Sequence, residues 1–225
     1  DGNLQVTENQ GGDWNNVIEN IEGLPENNWV SFIEPSRFNA GSAFACFDNH
    51  RNGDKTPYVF KTNDLGKTWE SITTTDIEGY ALSIRQDFVN PDVLFLGTEF
   101  GLYITVDGGE NWSRFENNMP KVGVRDMVIQ QRENALVMGT HGRGIIIIDD
   151  ISPLRKVNEE LLSQDLVFFE GEPTMLKDPG AGGGWFGGAG NFIGGNPNTN
   201  AQITYYMKKR HTFGKMYIEV FDANG

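Results

Sequence analysis

A short phrase with the pattern Ser/Thr-x-Asp-x-Gly-x-x-Trp recurs in this chain, and we call it the Asp-Gly-Trp turn. Two full copies occupy residues 62–69 and 105–112, and a degenerate copy with Asn in place of Asp occupies residues 7–14. The three tryptophans follow each other at steps of about 55 and about 43 residues, and a period of roughly 40–50 residues is typical of a four-stranded propeller blade. The repeat therefore predicts the architecture before any single residue predicts a function.

The phrase has the composition of a hairpin turn between two strands. Apolar runs precede it at residues 58–60 and 102–104, and short strands are predicted after each tryptophan. An Asp side chain can accept hydrogen bonds from backbone amides about two residues further on, and Gly tolerates positive φ. The Trp is expected to pack back over the turn. We therefore assign structural roles to the following residues: Thr7, Asn9, Gly11, Trp14, Thr62, Asp64, Gly66, Trp69, Thr105, Asp107, Gly109 and Trp112.

The strand pattern predicts an all-β chain of about three propeller blades and the end of another. The first blade is expected over residues 29–72, the second over 80–115, and the third from Val124 onward, without an Asp-Gly-Trp turn. The continuous apolar run Ile145–Ile148 predicts a strand buried on both faces. Because a closed ring needs roughly four to eight blades, the remaining blades are expected upstream in the parent protein or on a partner chain.

The character of the sequence changes after the third blade. We predict a propeller part over 1–157, a linker over 158–165 and the start of a β-sandwich-like domain over 166–225. Strands are expected at 166–169, 201–207 and 216–221, followed by a turn at 222–225. A glycine-rich stretch at 179–190 contains Trp185, which belongs either to a loop without a ligand or to a sugar-stacking site.

The net charge of the chain restricts the classes of partner it can bind. The formal net charge is −13, which disfavours nucleic acid because phosphate binding requires a basic surface. An acidic net charge favours solubility. A cationic partner or bound Ca²⁺ is compatible with it, and no cofactor is predicted.

The single cysteine, Cys46, lies in an apolar run and is expected to be a buried thiol. No apolar stretch is long enough for a transmembrane helix.

Several further segments resemble one group of bacterial proteins. The runs 49–58, 97–103 and 139–155, together with the Asp-Gly-Trp turns, are similar to the exported BNR/Asp-box or sortilin-like "glycosyl hydrolase" proteins common in Bacteroidetes-type bacteria. This resemblance implies a propeller followed by a β-sandwich region, an extracellular, cell-surface or periplasmic location, and contact with glycan. It implies no catalytic residues, since neither a sialidase arginine triad with its tyrosine nor the paired aspartates of xyloglucanase propellers can be matched.

Blade topology predicts where a site would lie. The Asp-Gly-Trp turns share one face of the propeller, so loops between second and third strands and between blades share the opposite face. Candidate catalytic residues on that face are Glu99, Asp76, Glu78 and His141, and candidate ligand-binding residues are Asp48, His50, Arg51, Asp54, Arg143 and Trp185. These side chains suit acid–base chemistry or binding of a sugar acid.

Some of these candidates also have a structural interpretation. The favoured interpretation of His141 and Arg143 is that they hold the third blade together, with Arg143 paired to a neighbouring acid. A metal site at Asp48, His50 and Asp54 is the less favoured reading of that loop, and no metal is predicted.

Three functions follow from these observations. We favour a binding or scaffold module for glycan or protein in an exported multidomain protein, because the recognisable motifs are structural. The alternatives are a sialidase- or xyloglucanase-like glycoside hydrolase with carboxylates opposite the Asp-Gly-Trp turns, and a sortilin-like propeller that recognises peptide or protein.

Overall fold

The computed structural model describes residues 2–171, 173–174 and 200–222. It divides into two compact units, Asp1–Lys156 and Val157–Gly225. None of the helices in the described part of the chain is both long and apolar enough to cross a bilayer. The glycine-rich stretch with Trp185, and most of the predicted turn at 222–225, lie outside the described residues.

The first unit is a series of antiparallel sheets in chain order. A partial blade contains β1 (Gln5–Val6) and β2 (Asn15–Asn16). The strands of the first blade are β3 (Trp29–Pro35), β4 (Ala43–Asp48), β5 (Tyr58–Thr62) and β6 (Glu70–Ser71). Those of the second are β7 (Ala81–Gln86), β8 (Leu94–Thr98), β9 (Gly101–Thr105) and β10 (Ser113–Arg114). Those of the third are β11 (Val124–Gln130), β12 (Ala135–Thr140) and β13 (Ile145–Ile148).

Each complete blade is a four-stranded meander in which neighbouring strands are consecutive in the chain. The innermost strands β3, β7 and β11 pack beside one another, and apolar side chains from adjacent blades share the buried clusters between them. The predicted all-β architecture of propeller blades is thus confirmed. Cys46 lies fully buried in one of these clusters, and burial raises the pKa of its thiol far above the ordinary value.

A β-bulge recurs at the same point of every innermost strand and sets a common register. It falls between Val30 and Phe32 in β3, between Ala81 and Ser83 in β7, and between Val124 and Asp126 in β11. Bulges bend a strand and increase its twist, which suits strands that line a propeller axis. Positions counted from the bulge can therefore be matched between blades.

The third blade corrects one prediction from the sequence. Ile145 and Ile147 are 71% and 53% exposed, so the apolar run in β13 is not buried on both faces. Only Ile146 and Ile148 face the core shared with the second blade. Ile147 lies across Val137 from Val128 of β11, which is itself 57% exposed, so this face of the third blade is open.

The second unit is smaller. Helix α1 (Glu159–Ser163) begins at Asn158, whose side chain accepts a hydrogen bond from the amide of Leu161 at 2.8 Å. Strand β14 (Leu166–Phe168) pairs antiparallel with β15 (Tyr205–Met207). The strand predicted at 216–221 is not formed, and those residues are exposed. A strand needs a ladder partner, and the described residues supply none there. The β-sandwich stays a prediction.

Candidate functional site

The Asp-Gly-Trp turns use their polar groups internally. In the first full copy the Thr62 hydroxyl accepts from the Gly66 amide at 3.0 Å, and Asp64 accepts from the Thr68 amide at 2.9 Å. Hydrogen bonds, chiefly from the Thr68 hydroxyl and amide, lower the pKa of Asp64 to about 2. The second copy repeats these bonds at Thr105, Asp107 and Gly109. The carboxylate therefore reaches the amide four residues on, not two as predicted.

The degenerate copy keeps the same geometry without a carboxylate. Thr7 accepts from the Gly11 amide at 2.8 Å, and the Asn9 amide oxygen accepts from the Asp13 amide at 2.8 Å. Gly11, Gly66 and Gly109 all have positive φ, at 92°, 78° and 105°. These contacts support the structural role that the sequence assigned to the turns, and they direct the search for a site to the opposite face.

A row of ionisable side chains on that opposite face shares one register position. Asp48 ends β4 opposite Trp29, and Glu99 and His141 follow β8 and β12. The amide of Glu99 donates to the carbonyl of Tyr80 at 3.2 Å, and that of His141 donates to Gly123 at 2.8 Å. The predicted match of Glu99 with His141 is therefore seen in the structure. Asp48 joins the same row, which the sequence comparison had missed because the following loop is longer in the first blade.

His50 is held in place at the junction of the first and second blades. Its Nδ1 lies 2.6 and 2.7 Å from the two carboxylate oxygens of Asp48, and its ring stacks on Tyr80 with centroids 4.6 Å apart. The Asp48 side chain is 9% exposed, whereas that of His50 is 37% exposed. Contact with Asp48 at Nδ1 leaves Nε2 as the ring nitrogen available to a ligand.

Glu99 lies beside the same stack. Its carboxylate pairs with Lys55 of the first blade at 3.2 Å, and the Lys55 ammonium lies 5.9 Å from the centre of the Phe100 ring. Burial raises the pKa of Tyr80, and the charges of Glu99 and Asp48 raise it further. Both carboxylates thus act on one buried phenol, so the structure brings Asp48, His50 and Glu99 together.

The third-blade candidates His141 and Arg143 do not make the side-chain contacts that were expected of them. The Cβ of His141 lies near Gly123, at the end of the row. Both His141 and Arg143 are exposed, and neither side chain makes a hydrogen bond or ion pair with another described residue. No described side-chain contact supports the role expected of them in holding the blade together, and that role stays a prediction. The bend is secured instead by Thr140, which bonds the Gly144 carbonyl through its hydroxyl at 2.6 Å.

Arg51 and Asp54 are engaged in local contacts. The Arg51 guanidinium lies over the Trp29 ring at 5.1 Å from its centre. Asp54 accepts from Asn49, the amide of Thr56 and the Tyr58 hydroxyl at 3.0, 2.9 and 2.8 Å. These hydrogen bonds, first that from Asn49, hold the pKa of Asp54 well below its usual range. Asp54 thus stabilises the conformation of its own loop.

The inter-blade candidates Glu78 and Asp76 lie in the loop between the first and second blades. Glu78 is exposed, with its carboxylate 3.9 Å from Lys121 and 4.0 Å from Arg114. Asp76 is exposed in the same loop. The described residues contain no group of three His, Cys, Asp or Glu side chains placed to hold a metal ion.

A cluster of charged side chains around Arg85, among the innermost strands, was not predicted from the sequence. Arg85 of β7 pairs with Glu34 of β3, lies 3.5 Å from Asp126 of β11, and stacks over Phe32 at 4.4 Å. It therefore links three blades. The sequence does contain one signal for this cluster. Glu34 and Arg85 interrupt the apolar pattern of two innermost strands, and they do so at matching positions counted from the bulge.

Known proteins resemble this chain over limited parts of their length. No protein-family model matches it. A stretch of 62 residues, 28% of the chain, is 39% identical to vacuolar protein sorting/targeting protein 10 of Pyrenophora tritici-repentis (strain Pt-1C-BFP), of which it covers 4%.

Similar solved structures include a GH74 enzyme of Niastella koreensis, at 20% identity over 54% of this chain and 21% of that one, with a TM-score of 0.45. The GH74 xyloglucanase of Xanthomonas campestris has 14% identity over 56% and 22%, with a TM-score of 0.44. YCF48 from Cyanidioschyzon merolae has 18% identity over 56% and 36%, with a TM-score of 0.38. The chain spans about a fifth of the GH74 structures, and likeness at this level does not extend to function.

Proposed function

We propose that this chain is the binding or scaffold part of an exported β-propeller protein, and that it takes a glycan or protein ligand on the face opposite the Asp-Gly-Trp turns. The observation that carries the proposal is the row of Asp48, Glu99 and His141 at one register position of three successive blades. Through this row the arc offers a ligand several anchoring points, namely the His50 ring held by Asp48, Glu99 and His141.

Preorganisation supports a binding role for this row. The His50 ring is already fixed by Asp48 and Tyr80, and Glu99 by Lys55, before any ligand arrives. Side chains that are ordered in advance lose less conformational entropy on binding. In the Asp-Gly-Trp turns, by contrast, the carboxylates of Asp64 and Asp107 are saturated by amide and hydroxyl groups of their own turns.

The test is a binding screen with matched variants. The purified chain is screened on a glycan array and against a displayed peptide library, and affinities for the best ligand are measured by calorimetry. We expect His50→Ala and Glu99→Gln to weaken binding by at least about tenfold, equivalent to about 1.4 kcal/mol. The control Glu110→Gln, on an exposed side chain of an Asp-Gly-Trp turn, is expected to bind like the parent chain.

The outcomes separate the candidate functions. A glycan ligand without turnover, or a defined peptide ligand, supports the binding module and identifies its class. Equal binding by all three variants would place the ligand elsewhere and overturn the proposal. Glycan cleavage that disappears in Glu99→Gln or Asp76→Asn, with the fold intact, would support a glycoside hydrolase instead.

A further inference from the structure

The stretch that follows β15 concentrates positive charge in a chain that is acidic as a whole. Residues 208–215, which we call the basic loop, contain three lysines, one arginine and one histidine and no Asp or Glu, whereas the whole chain has a formal net charge of −13. All of these side chains are exposed: Lys208, Lys209, Arg210, His211 and Lys215. A local cluster of this kind favours an anionic partner.

The base of the basic loop is anchored by its first residue. The amide of Lys208 donates to the carbonyl of Asp165 at 3.1 Å, and the Lys208 ammonium donates to the carbonyl of Ser163 at 3.1 Å. Further along, Nε2 of His211 lies 3.4 Å from the carbonyl oxygen of Gly214, whose φ is 84°. Lys208 and His211 therefore serve the conformation of the loop itself.

The other cations of the loop are left for a partner. Lys209, Arg210 and Lys215 make no side-chain hydrogen bond or ion pair with another residue that the structure describes. Anchored at Lys208 and turned at Gly214, the loop presents these three side chains to solvent together.

An aromatic side chain lies among these cations. Phe213, between His211 and Lys215, is 93% exposed, which makes it the most exposed of the large apolar side chains in the described part of the chain. A phenyl ring has no polar atom to hydrogen-bond with water, and its transfer to a hydrocarbon environment is favourable. The loop therefore offers a partner charge and apolar surface at the same place.

The loop also borders a cleft with the same mixed character. An open cleft of about 490 Å³ lies between the loop and the adjoining ends of β14 and β15. Asp165 is the acidic residue among the described side chains that line it. The cationic and apolar groups of the lining are Lys209, Arg210, His211, Leu166, Met207 and Phe213. Such a lining fits an anion that carries a hydrocarbon part.

An anionic phospholipid surface matches both properties of the loop. Lipid phosphates attract Lys and Arg, and the boundary between headgroups and acyl chains, about 5–10 Å deep, accommodates an aromatic side chain. A soluble polyanion such as a sulfated polysaccharide supplies the charge but no hydrocarbon for Phe213. Contact through one loop also suits an acidic chain, because charges further away than about 8–10 Å are largely screened at physiological salt.

We infer that the basic loop docks this chain on the surface of an anionic phospholipid membrane. Lys209, Arg210 and Lys215 pair with lipid phosphates, and the Phe213 ring inserts at the boundary of the acyl chains. The inference goes beyond the proposed function, because the loop shares no residue with the row of Asp48, Glu99 and His141.

Co-sedimentation of the 225-residue chain with lipid vesicles tests this inference. Vesicles that contain equal parts of phosphatidylglycerol and phosphatidylcholine are compared with vesicles of phosphatidylcholine alone, at about 0.1 M salt. Each Lys or Arg near an anionic surface changes the affinity about fivefold, so we expect at least about 50-fold tighter binding to the anionic vesicles. No binding, or equal binding to both kinds of vesicle, would overturn the proposal.

Variants of the loop separate its charge from its apolar side chain. Lys209→Gln/Arg210→Gln is expected to weaken binding to anionic vesicles about 25-fold. Phe213→Ser should weaken it at least about tenfold, because the hydrocarbon contact is lost. The substituted side chains are exposed, so the fold should be retained, and far-UV circular dichroism verifies this.

Matched controls lie in the propeller unit. Lys67→Gln/Arg132→Gln removes the same charge from exposed positions, and Phe38→Ser removes a ring that is 45% exposed. Both should bind anionic vesicles like the parent chain. Losses in the controls as large as those in the loop variants would show that the loop is not the docking surface.

A fluorescent label measures insertion directly. Because Cys46 is fully buried, Phe213→Cys can be labelled selectively with an environment-sensitive dye, and we expect its emission to shift to the blue on anionic vesicles. The same dye at Phe38→Cys should not shift. Vesicle binding without a shift at position 213, or an equal shift with dextran sulfate, would contradict insertion and overturn the proposal. Since the assay involves no residue of the row, it succeeds or fails independently of the proposed function.

Discussion

The indole Nε1 of Trp112 donates a 2.7 Å hydrogen bond to the carbonyl oxygen of Ile72, 40 residues earlier and in the preceding blade. The indole is buried, and the Cβ of Ile72 also lies close to Gly109 of the same Asp-Gly-Trp turn. Trp69, in the other full copy, instead bonds the Gly66 carbonyl of its own turn at 3.1 Å. One sequence motif therefore closes a hairpin in one blade and joins two blades in the next.

Trp112→Phe is expected to destabilise the propeller unit by about 1–3 kcal/mol, because the Ile72 carbonyl loses its indole partner in a buried place. The matched variant Trp69→Phe removes a bond within one turn from a half-buried ring, and should cost no more than about 1 kcal/mol. Urea unfolding followed by far-UV circular dichroism measures both. Equal losses of unfolding free energy in the two variants would show that the hydrogen bond between blades stabilises the protein no more than the bond within one turn.

Gly97→Ala is expected to destabilise the chain by about 1–3 kcal/mol through overpacking. A Cβ at this position would lie 2.5 Å from the Ser83 hydroxyl and 2.5 Å from the Val124 carbonyl oxygen of the third blade. Gly139 occupies the matched position in β12, where the nearest atom would be 3.8 Å away.

The control Gly139→Ala should therefore lie within about 0.5 kcal/mol of the parent chain, or above it, because alanine restricts the unfolded state. Thermal and urea unfolding measure the unfolding free energies of Gly97→Ala and Gly139→Ala. If Gly139→Ala proved as costly as Gly97→Ala, close approach between blades would not be the cause.

Arg85→Met is expected to cost about 1–3 kcal/mol, because it leaves the largely buried Glu34 carboxylate without its charged hydrogen-bond donor. The Glu34 and Arg85 side chains are 14% and 24% exposed. The double variant Glu34→Gln/Arg85→Met should recover part of the loss, since the uncompensated charge is then absent.

Arg132→Met is the control for the removal of an arginine charge. Arg132 pairs with its neighbour Glu133 on the surface, so its loss should change the unfolding free energy by less than about 0.5 kcal/mol. A double variant less stable than Arg85→Met alone would contradict the charge argument.

Asp87→Asn is expected to make stability less dependent on pH in the acid range. Burial raises the pKa of Asp87, but hydrogen bonds from Arg155, Asn90 and Val89 outweigh burial and hold the pKa below its ordinary value. A lowered native pKa gives stability that is complete above the unfolded value of about 3.9 and is lost as pH falls through the native value.

At neutral pH, Asp87→Asn should cost about 3–5 kcal/mol, because it leaves the Arg155 guanidinium buried without its counter-ion. The difference from the parent chain should narrow below about pH 4. Unfolding free energies measured from pH 2.5 to 7 test this, with Glu110→Gln as an exposed control. A constant difference across that range would refute the titration of Asp87 as its cause.

Much of the fold could be predicted because its signals are local. The Asp-Gly-Trp turns and the apolar strands beside them lie within single hairpins, and the strands of the first two blades lie within the predicted ranges 29–72 and 80–115. The predictions that failed depend on distant neighbours. The burial expected for both faces of β13 and the strand expected at 216–221 each required a partner that local sequence does not reveal.

The candidate site was predicted in part for the same reason. Topology alone placed Glu99 and His141 on one face, whereas the contact of Asp48 with His50, the stack on Tyr80 and the ion pair of Glu99 with Lys55 required coordinates. Arg85 was overlooked because nothing in its own strand indicates that two other blades would supply its partners.

The sequence by itself determined that this chain forms antiparallel blades, where their turns lie and which face those turns occupy, because backbone turn chemistry and apolar patterning act over a few residues. Only the tertiary structure decided which polar groups meet. The bond from Trp112 to Ile72 and the pair of Arg155 with Asp87 span 40 and 68 residues. Such pairings depend on how one blade is rotated and stacked on the next, and that stacking is set by the packing of whole sheets.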